Sequence, residues 1–319
     1  MINKKYIYLF LLFFNLVFLE KKIIFESANP FTFQDIIVSL DDLEVQEVYG
    51  ILKFPNNFNK DVKYPLVVGV AGSLGWNDHN YEYLQMYRDM GIATFELKSF
   101  SSRDVTSTVG SQIEVTMATM ILDSYEALDI LSNHVNIDNN NIAITGWSLG
   151  GGVALFSGWN NLINAINPDN KFAAHLPIYP PCFVRADSMD FTKAPIHILI
   201  GDKDDWTPAL ACEELVDSLN DKKENINITV YENSYHGFDS DRPYTFVEHG
   251  YSFTECRFTI RDDGAPLMNF LNIPMTSPAL QKIGLSFCVS RGVTIEGNNS
   301  SKLKAHMFST SFMKEHLMD

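Results

Sequence analysis

From about residue 64 the chain alternates between short, nearly unbroken apolar runs and longer stretches with helical spacing. The runs at 64–71, 92–97, 142–145, 172–179, 195–201 and 226–231 are rich in Val, Ile and Leu. Runs of that length and composition predict strands covered on both faces. Between them, 80–90 reads as a helix closed by Gly91, and 208–219 as another. A long helix is predicted over 111–134, with Val115, Met117, Met120, Ile121, Tyr125, Leu128 and Leu131 facing inward. Residues 47–54 suggest a leading strand, 55–61 a polar loop, and 301–317 a closing helix, whereas 31–45 has no clean period. Strands alternating with helices predict an α/β domain, a mostly parallel central sheet with helices on both faces. Residues 243–285 break the alternation and read as an insertion. There is no internal repeat and no linker, so one catalytic domain is expected over 29–319.

The first residues follow a different pattern. Lys4 and Lys5 precede an apolar run over 6–19, broken only by Asn15. That length suits the apolar region of an export signal better than a membrane span. Residues 1–28 are therefore expected to be a signal peptide cut near Ala28, or an uncleaved N-terminal anchor. The protein is then exported, periplasmic or secreted, and meets a membrane only if the segment is retained. Composition adds little: 319 residues, 46% hydrophobic, describe a globular chain. The net charge of −15 argues against a nucleic-acid partner, which needs a basic face.

Chemistry enters at the run ending Gly146-Trp147-Ser148-Leu149-Gly150. It fits the nucleophile-elbow pattern, in which a strand turns into a helix within about one residue and places a strained serine at the corner. Two later strand ends carry the groups such a serine needs. Gly201-Asp202-Lys203-Asp204-Asp205-Trp206-Thr207-Pro208 follows one, and Tyr235-His236-Gly237-Phe238 lies just beyond the other. The order Ser, Asp, His is that of α/β-hydrolases. A serine hydroxyl needs an imidazole to take its proton, and the imidazole needs a carboxylate to fix its tautomer. His175 and His197 lie inside apolar strands and read as core histidines; His249 is the rival base.

On these residues the chain resembles the dienelactone hydrolase family of the α/β-hydrolase superfamily, over about 45–240 and again over 286–319. Ser99-Phe100 followed by Arg103 also resembles a segment of its serine-bearing members. The resemblance implies an α/β-hydrolase fold and, from the family's spacing of acid to glycine and proline, Asp204 as the acid, with Asp202 and Asp205 behind it or facing solvent. It also implies an oxyanion site made by the backbone N–H groups of Leu149 and Ser73, with Leu74 as the alternative to Ser73. Three positions depart from the family. Ser148 stands where the enzymes that named it carry cysteine, Ala71-Gly72 where His-Gly is usual, and Lys98 where an aspartate often precedes Ser-Phe.

Other candidates are less constrained. Arg103, in a loop after a core strand, is either a ligand for a substrate carboxylate or a surface arginine paired with Asp104 or another acid. Trp206 could line an acyl or alcohol pocket. No zinc spacing, P-loop or dinucleotide fingerprint is present, so no cofactor and no metal are expected. Of the four cysteines, Cys256 and Cys288 bracket most of the insertion and are predicted to be bonded; Cys182 and Cys212 are either near each other or buried free thiols. The expected activity is hydrolysis of small carboxylic esters or lactones through an acyl-enzyme. The alternatives are acyl transfer on the same triad, or a binding protein whose cleft is blocked by residues 243–285.

Overall fold

The computed structural model describes residues 20–188, 190–220, 225–269 and 271–319. In chain order its elements are β1 (Glu20–Ser27), α1 (Phe33–Ser39), β2 (Gln46–Lys53), β3 (Tyr64–Val70), α2 (Asp78–Asp89), β4 (Ala93–Leu97), α3 (Met117–Ser132), β5 (Ile137–Trp147), α4 (Leu149–Phe156), α5 (Asn160–Ile166), β6 (Ala174–Ile178) and β7 (Val184–Ala186). They continue with β8 (Ile196–Gly201), α6 (Ala209–Asn220), β9 (Ile226–Tyr231), β10 (Thr245–Ser252), β11 (Phe258–Ile260), β12 (Pro266–Leu267), α7 (Pro278–Leu285), β13 (Ser290–Ile295) and α8 (Asn299–Leu317).

Eight strands form one sheet in the order β1-β2-β4-β3-β5-β6-β8-β9. The six from β4 to β9 are parallel, and β2 runs antiparallel between β4 and β1. Val67, Val68, Ile144, Leu176 and Ile198 are fully buried in its centre, as the unbroken apolar runs require. α3 packs with α4 and α1, and α2 with α8, which covers the sheet on both faces. This is the α/β-hydrolase architecture. After β3 the chain steps outward to β4 and then returns past β3 to β5, so the order reverses beside the strand that carries the elbow. Ligands in such sheets gather at that switch, beyond the carboxyl ends of the strands.

Three places differ from the sequence expectations. The first is the N-terminal boundary. The apolar run at 6–19 lies outside the described residues, but Glu20–Ser27, expected to leave with it, is strand β1, in register with β2 along its whole length from Glu20↔Lys53 to Ser27↔Gln46. Phe25 and Ser27 point inward, and the Ser27 hydroxyl donates to buried Asp123 at 2.6 Å. A cut near Ala28 would strip an edge strand from the sheet, so Glu20–Ser27 belongs to the folded domain.

The second is α1, in the segment without a period. It is held by its cap: Asp35 accepts the N–H groups of Phe31 and Thr32, both at 2.8 Å, and pins the first turn. The third is α3, which starts six residues later than predicted. Gly110 and Gln112 have φ of +87° and +59°, a turn no helix can contain, and the Thr116 side chain then caps the N–H of Thr119.

The insertion is a structured cap. β10 pairs with β13, and β11 joins β12 and β7 in a small second sheet, so the excursion closes at Ile295 and not at residue 285. Cys256 is bonded to Cys288, tying the cap's first half to its last, and Cys182 to Cys212, tying the loop after β6 to α6. Among the described residues no helix is long and apolar enough to cross a membrane.

Candidate active site

The elbow follows from backbone crowding. Ser148 has φ 56° and ψ −117°, strained for a residue with a side chain, and heads α4 directly after β5. A Cβ on Gly146 would lie 2.1 Å from the carbonyl oxygen of Gly150, and one on Gly150 2.2 Å from that of Val70. Only glycine fits either position, so the two glycines of the motif permit the turn itself.

Three strand ends then converge. His236 Nε2 lies 3.0 Å from Ser148 Oγ, and His236 Nδ1 lies 2.8 Å from Asp204 Oδ2. Asp204 is fixed in turn: its Oδ1 accepts the N–H groups of Trp206 at 3.0 Å and Thr207 at 2.7 Å, and its Oδ2 the Thr207 hydroxyl at 3.1 Å. The imidazole is held between the rings of Tyr179 and Trp206, with centroids 4.6 and 5.0 Å away. The neighbouring carboxylates face elsewhere. Asp202 accepts the N–H of Ser234, and Asp205 that of Thr294, at the cap's last strand. His249 is exposed on β10.

The chain after β3 brings Ser73 beside the elbow: a Cβ on Gly72 would lie 3.2 Å from that of Ser148. Among the described residues the N–H groups of Ser73 and Leu149 donate to no protein acceptor. Both residues line the cavity at Ser148.

Two cavities meet at Ser148. One, about 190 Å³, is lined by Ser73, Leu149, Trp206, residues of α3 and the cap. The other, smaller, is bordered by the polar side chains of His236, Tyr179, His79, Asn80 and Arg242. Trp206 lines both. The cap therefore roofs the cleft without blocking it.

The profile of the dienelactone hydrolase family matches residues 85–254, more than half of the chain. The chain belongs to the dienelactone hydrolase family. No curated protein sequence matches it. Among solved structures it is similar to a protein named as a dienelactone hydrolase from Klebsiella pneumoniae, with 19% identity, 69% of this chain and 89% of that one covered, and a TM-score of 0.48. Esterase 2 of Thermogutta terrifontis shows 14% identity over 66% of this chain and 84% of that one, with a TM-score of 0.49. A protein named as a dipeptidyl aminopeptidase IV from Bacteroides ovatus gives 14% identity and a TM-score of 0.49, over 68% of this chain. The matched part spans a third of that longer protein, 33% of its length.

Arg103 corrects one expectation. Its Nη1 and Nη2 clamp the buried carboxylate of Asp123 at 2.8 and 2.9 Å, and Nη2 also donates to the carbonyl of Ala28 at 3.0 Å. With its donors engaged, it anchors the end of β1 to α3 and lines neither cavity at Ser148. The substrate-ligand reading is thus overturned, and the paired reading holds with a core acid twenty residues on in place of Asp104.

Sequence reasoning passed over the support behind the elbow. Asp239 is fully buried and accepts Trp147 Nε1 at 3.1 Å and the Tyr179 hydroxyl at 3.0 Å. Burial, then the charge of Asp239, raise the Tyr179 phenol well above its ordinary value, so it stays a donor. Burial lowers His79, with Arg242 adding to the effect and Asp239 opposing it. The only signal for Asp239 was an acid three residues after the histidine; Tyr179 gave none beyond its place at a strand end.

Proposed function

We propose that this member of the family is a serine hydrolase that cleaves carboxylic esters or lactones, with Ser148 as nucleophile, His236 as base and Asp204 as its orienting acid. The observation that carries the reading is the chain of contacts from Asp204 through His236 to Ser148 at the strand ends. Nε2 takes the serine proton as Oγ attacks the carbonyl, and Asp204 holds Nδ1–H and stabilises the imidazolium that forms. The developing oxyanion rests on the free N–H groups of Leu149 and Ser73, the first at the N-terminus of α4. His236 then protonates the departing alcohol, and water, activated by the same nitrogen, releases the acid from Ser148.

The sides follow from this. The leaving oxygen must meet Nε2, so the alcohol lies in the smaller cavity that His236 borders, and the acyl group lies in the other. A role as a pure binding protein with a blocked cleft is disfavoured by the two cavities that open on Ser148. Export to an oxidising compartment is supported by the two disulfides, which pair all four cysteines.

A fluorophosphonate probe tests the chemistry. Rapid, stoichiometric labelling that disappears in Ser148→Ala is expected, together with turnover of p-nitrophenyl acetate. A folded protein that is neither labelled nor active would remove the proposal.

A further inference from the structure

We infer that the enzyme selects esters of uncharged, apolar acids whose acyl group has about six to eight carbons, straight or aromatic, and that the cap sets this limit. The inference rests on Ser148 being the nucleophile and specifies the substrate class of that site.

The cavity assigned to the acyl group has a volume of about 190 Å³ and opens on one side to solvent. For scale, a dry cavity of about 150 Å³ is enough to take benzene. An acetyl group would leave most of the space unfilled, and a twelve-carbon chain would outrun it and leave its end in water. The chemistry of the wall points the same way. Among the described residues no charged side chain lines the cavity. An ionised carboxylate or ammonium on the acyl group would be taken out of water with nothing to pair it, which costs far more than apolar contacts return.

Apart from the free N–H groups of Ser73 and Leu149 at the elbow, most polar groups of the wall bond to the protein; Ser73 Oγ and the Gln112 amide lie 3.4 Å apart. The Thr116 hydroxyl donates to the carbonyl of Pro30 at 3.0 Å, the Thr32 hydroxyl to Asp35 at 3.3 Å, and the Gln281 amide to the carbonyl of Gln112 at 3.3 Å. Most of what remains for an acyl group is carbon and sulfur: Met117 from α3, the stacked rings of Phe183 and Phe253, and Met275 and Leu285 from the cap. Stacked rings beside methionines accept a flat ring as readily as a bent chain.

The far wall belongs to the cap, and the cap is fastened. Phe253 lies three residues before Cys256, and Leu285 three before Cys288, so the bond between these cysteines holds two walls of the cavity together. Cys182, bonded to Cys212, lies between Pro181 and Phe183, which both line the cavity. A wall fixed on two sides limits length more sharply than a mobile lid does.

The test is the specificity constant for p-nitrophenyl acetate, butyrate, hexanoate, octanoate, dodecanoate and phenylacetate, and for the monoester of succinate as the charged acyl group. Burying each methylene is worth about two- to fourfold. kcat/KM is therefore expected to rise at least about tenfold from acetate to hexanoate and to fall about tenfold below its best value at dodecanoate. Phenylacetate should fall with the best chains, and the succinyl ester below acetate. Val184→Trp, on the half-buried rim strand β7, should lower the hexanoate-to-acetate ratio at least about tenfold, and Leu285→Ala should move the optimum to a longer chain. Acetate turnover with a flat or falling series, or a preference for the succinyl ester, overturns the inference and leaves the serine hydrolase intact. No turnover of any ester, with Ser148 unlabelled by the fluorophosphonate, overturns both.

Discussion

The two walls that meet over Ser148 are built by different means. On the sheet side, Ser148, Asp204 and His236 stand beyond the ends of buried strands, with Trp206 and Thr207 beside them, and their side chains are fixed by hydrogen bonds to backbone or to one another. On the cap side, Phe253, Phe258, Met275 and Leu285 stand on strands and turns of a few residues, a helix of eight and a disulfide. The sheet wall positions atoms to tenths of an ångström, as bond-making demands. The cap wall only excludes water and bounds a volume. Substitutions in the first should therefore cost rate, and in the second selectivity or stability.

The largest effect is expected at the elbow. Ser148→Ala should lower kcat by about 10⁴–10⁶, with near-UV circular dichroism unchanged. A variant keeping a tenth of the rate would break the sheet half of the comparison. Next, Asp204→Asn should cost about 10²–10⁴ in kcat, because Nδ1 loses the acceptor that sets its tautomer. Asp205→Asn, whose carboxylate serves the N–H of Thr294 in the cap, should cost far less. Steady-state kinetics on both variants decide between them, and the reverse order would show the wrong acid had been chosen.

For the cap, replacing Cys256 and Cys288 together by serine should cost about 3–4 kcal/mol by loop-entropy reasoning, while the triad distances stay as they are. Urea unfolding and the rate of proteolysis within the cap report the loss, and acetate turnover should fall much less than in the elbow variants. An equal collapse of both would mean that the cap positions the triad.

The smallest effect sharpens the sheet side. His175 on β6 is buried with Nδ1 2.8 Å from the carbonyl of Ala154, and burial pushes its pKa down to about 4 from 6.5. The native state keeps it neutral, whereas the unfolded chain takes up a proton below about pH 6.5. Its contribution is thus complete above that pH and is lost as the pH falls toward 4, about 2 kcal/mol between pH 7 and 5. His175→Gln should flatten that part of the urea-midpoint profile; an unchanged profile would show that other groups carry it.

The same contrast explains what could be read from the sequence. Buried parallel strands appear as apolar runs, so β3, β4, β5, β6, β8 and β9 were visible, and with them the strand ends that carry Ser148, Asp204 and His236. The elbow glycines were legible because backbone crowding leaves no other residue type. The cap was legible only as a break in the pattern, since strands of two or three residues have no measurable period. β1 was absorbed into the export segment because its charged, outward residues Lys21, Lys22 and Glu26 hide the alternation that buries Phe25 and Ser27. The capping pair of Thr32 and Asp35 was a readable sign of α1 and was passed over. Arg103 stayed open between a substrate ligand and an ion pair for a different reason: its partner Asp123 sits on the buried side of a helix, and nothing local to the arginine marks which acid it will meet.

The most direct test of the central claim is acid-quenched mass spectrometry of the protein during turnover of p-nitrophenyl hexanoate. The account predicts a burst of nitrophenol and a single hexanoyl adduct on the peptide carrying Ser148, absent from Ser148→Ala. Ester turnover with no adduct at Ser148, or with the acyl group on another residue, would contradict it.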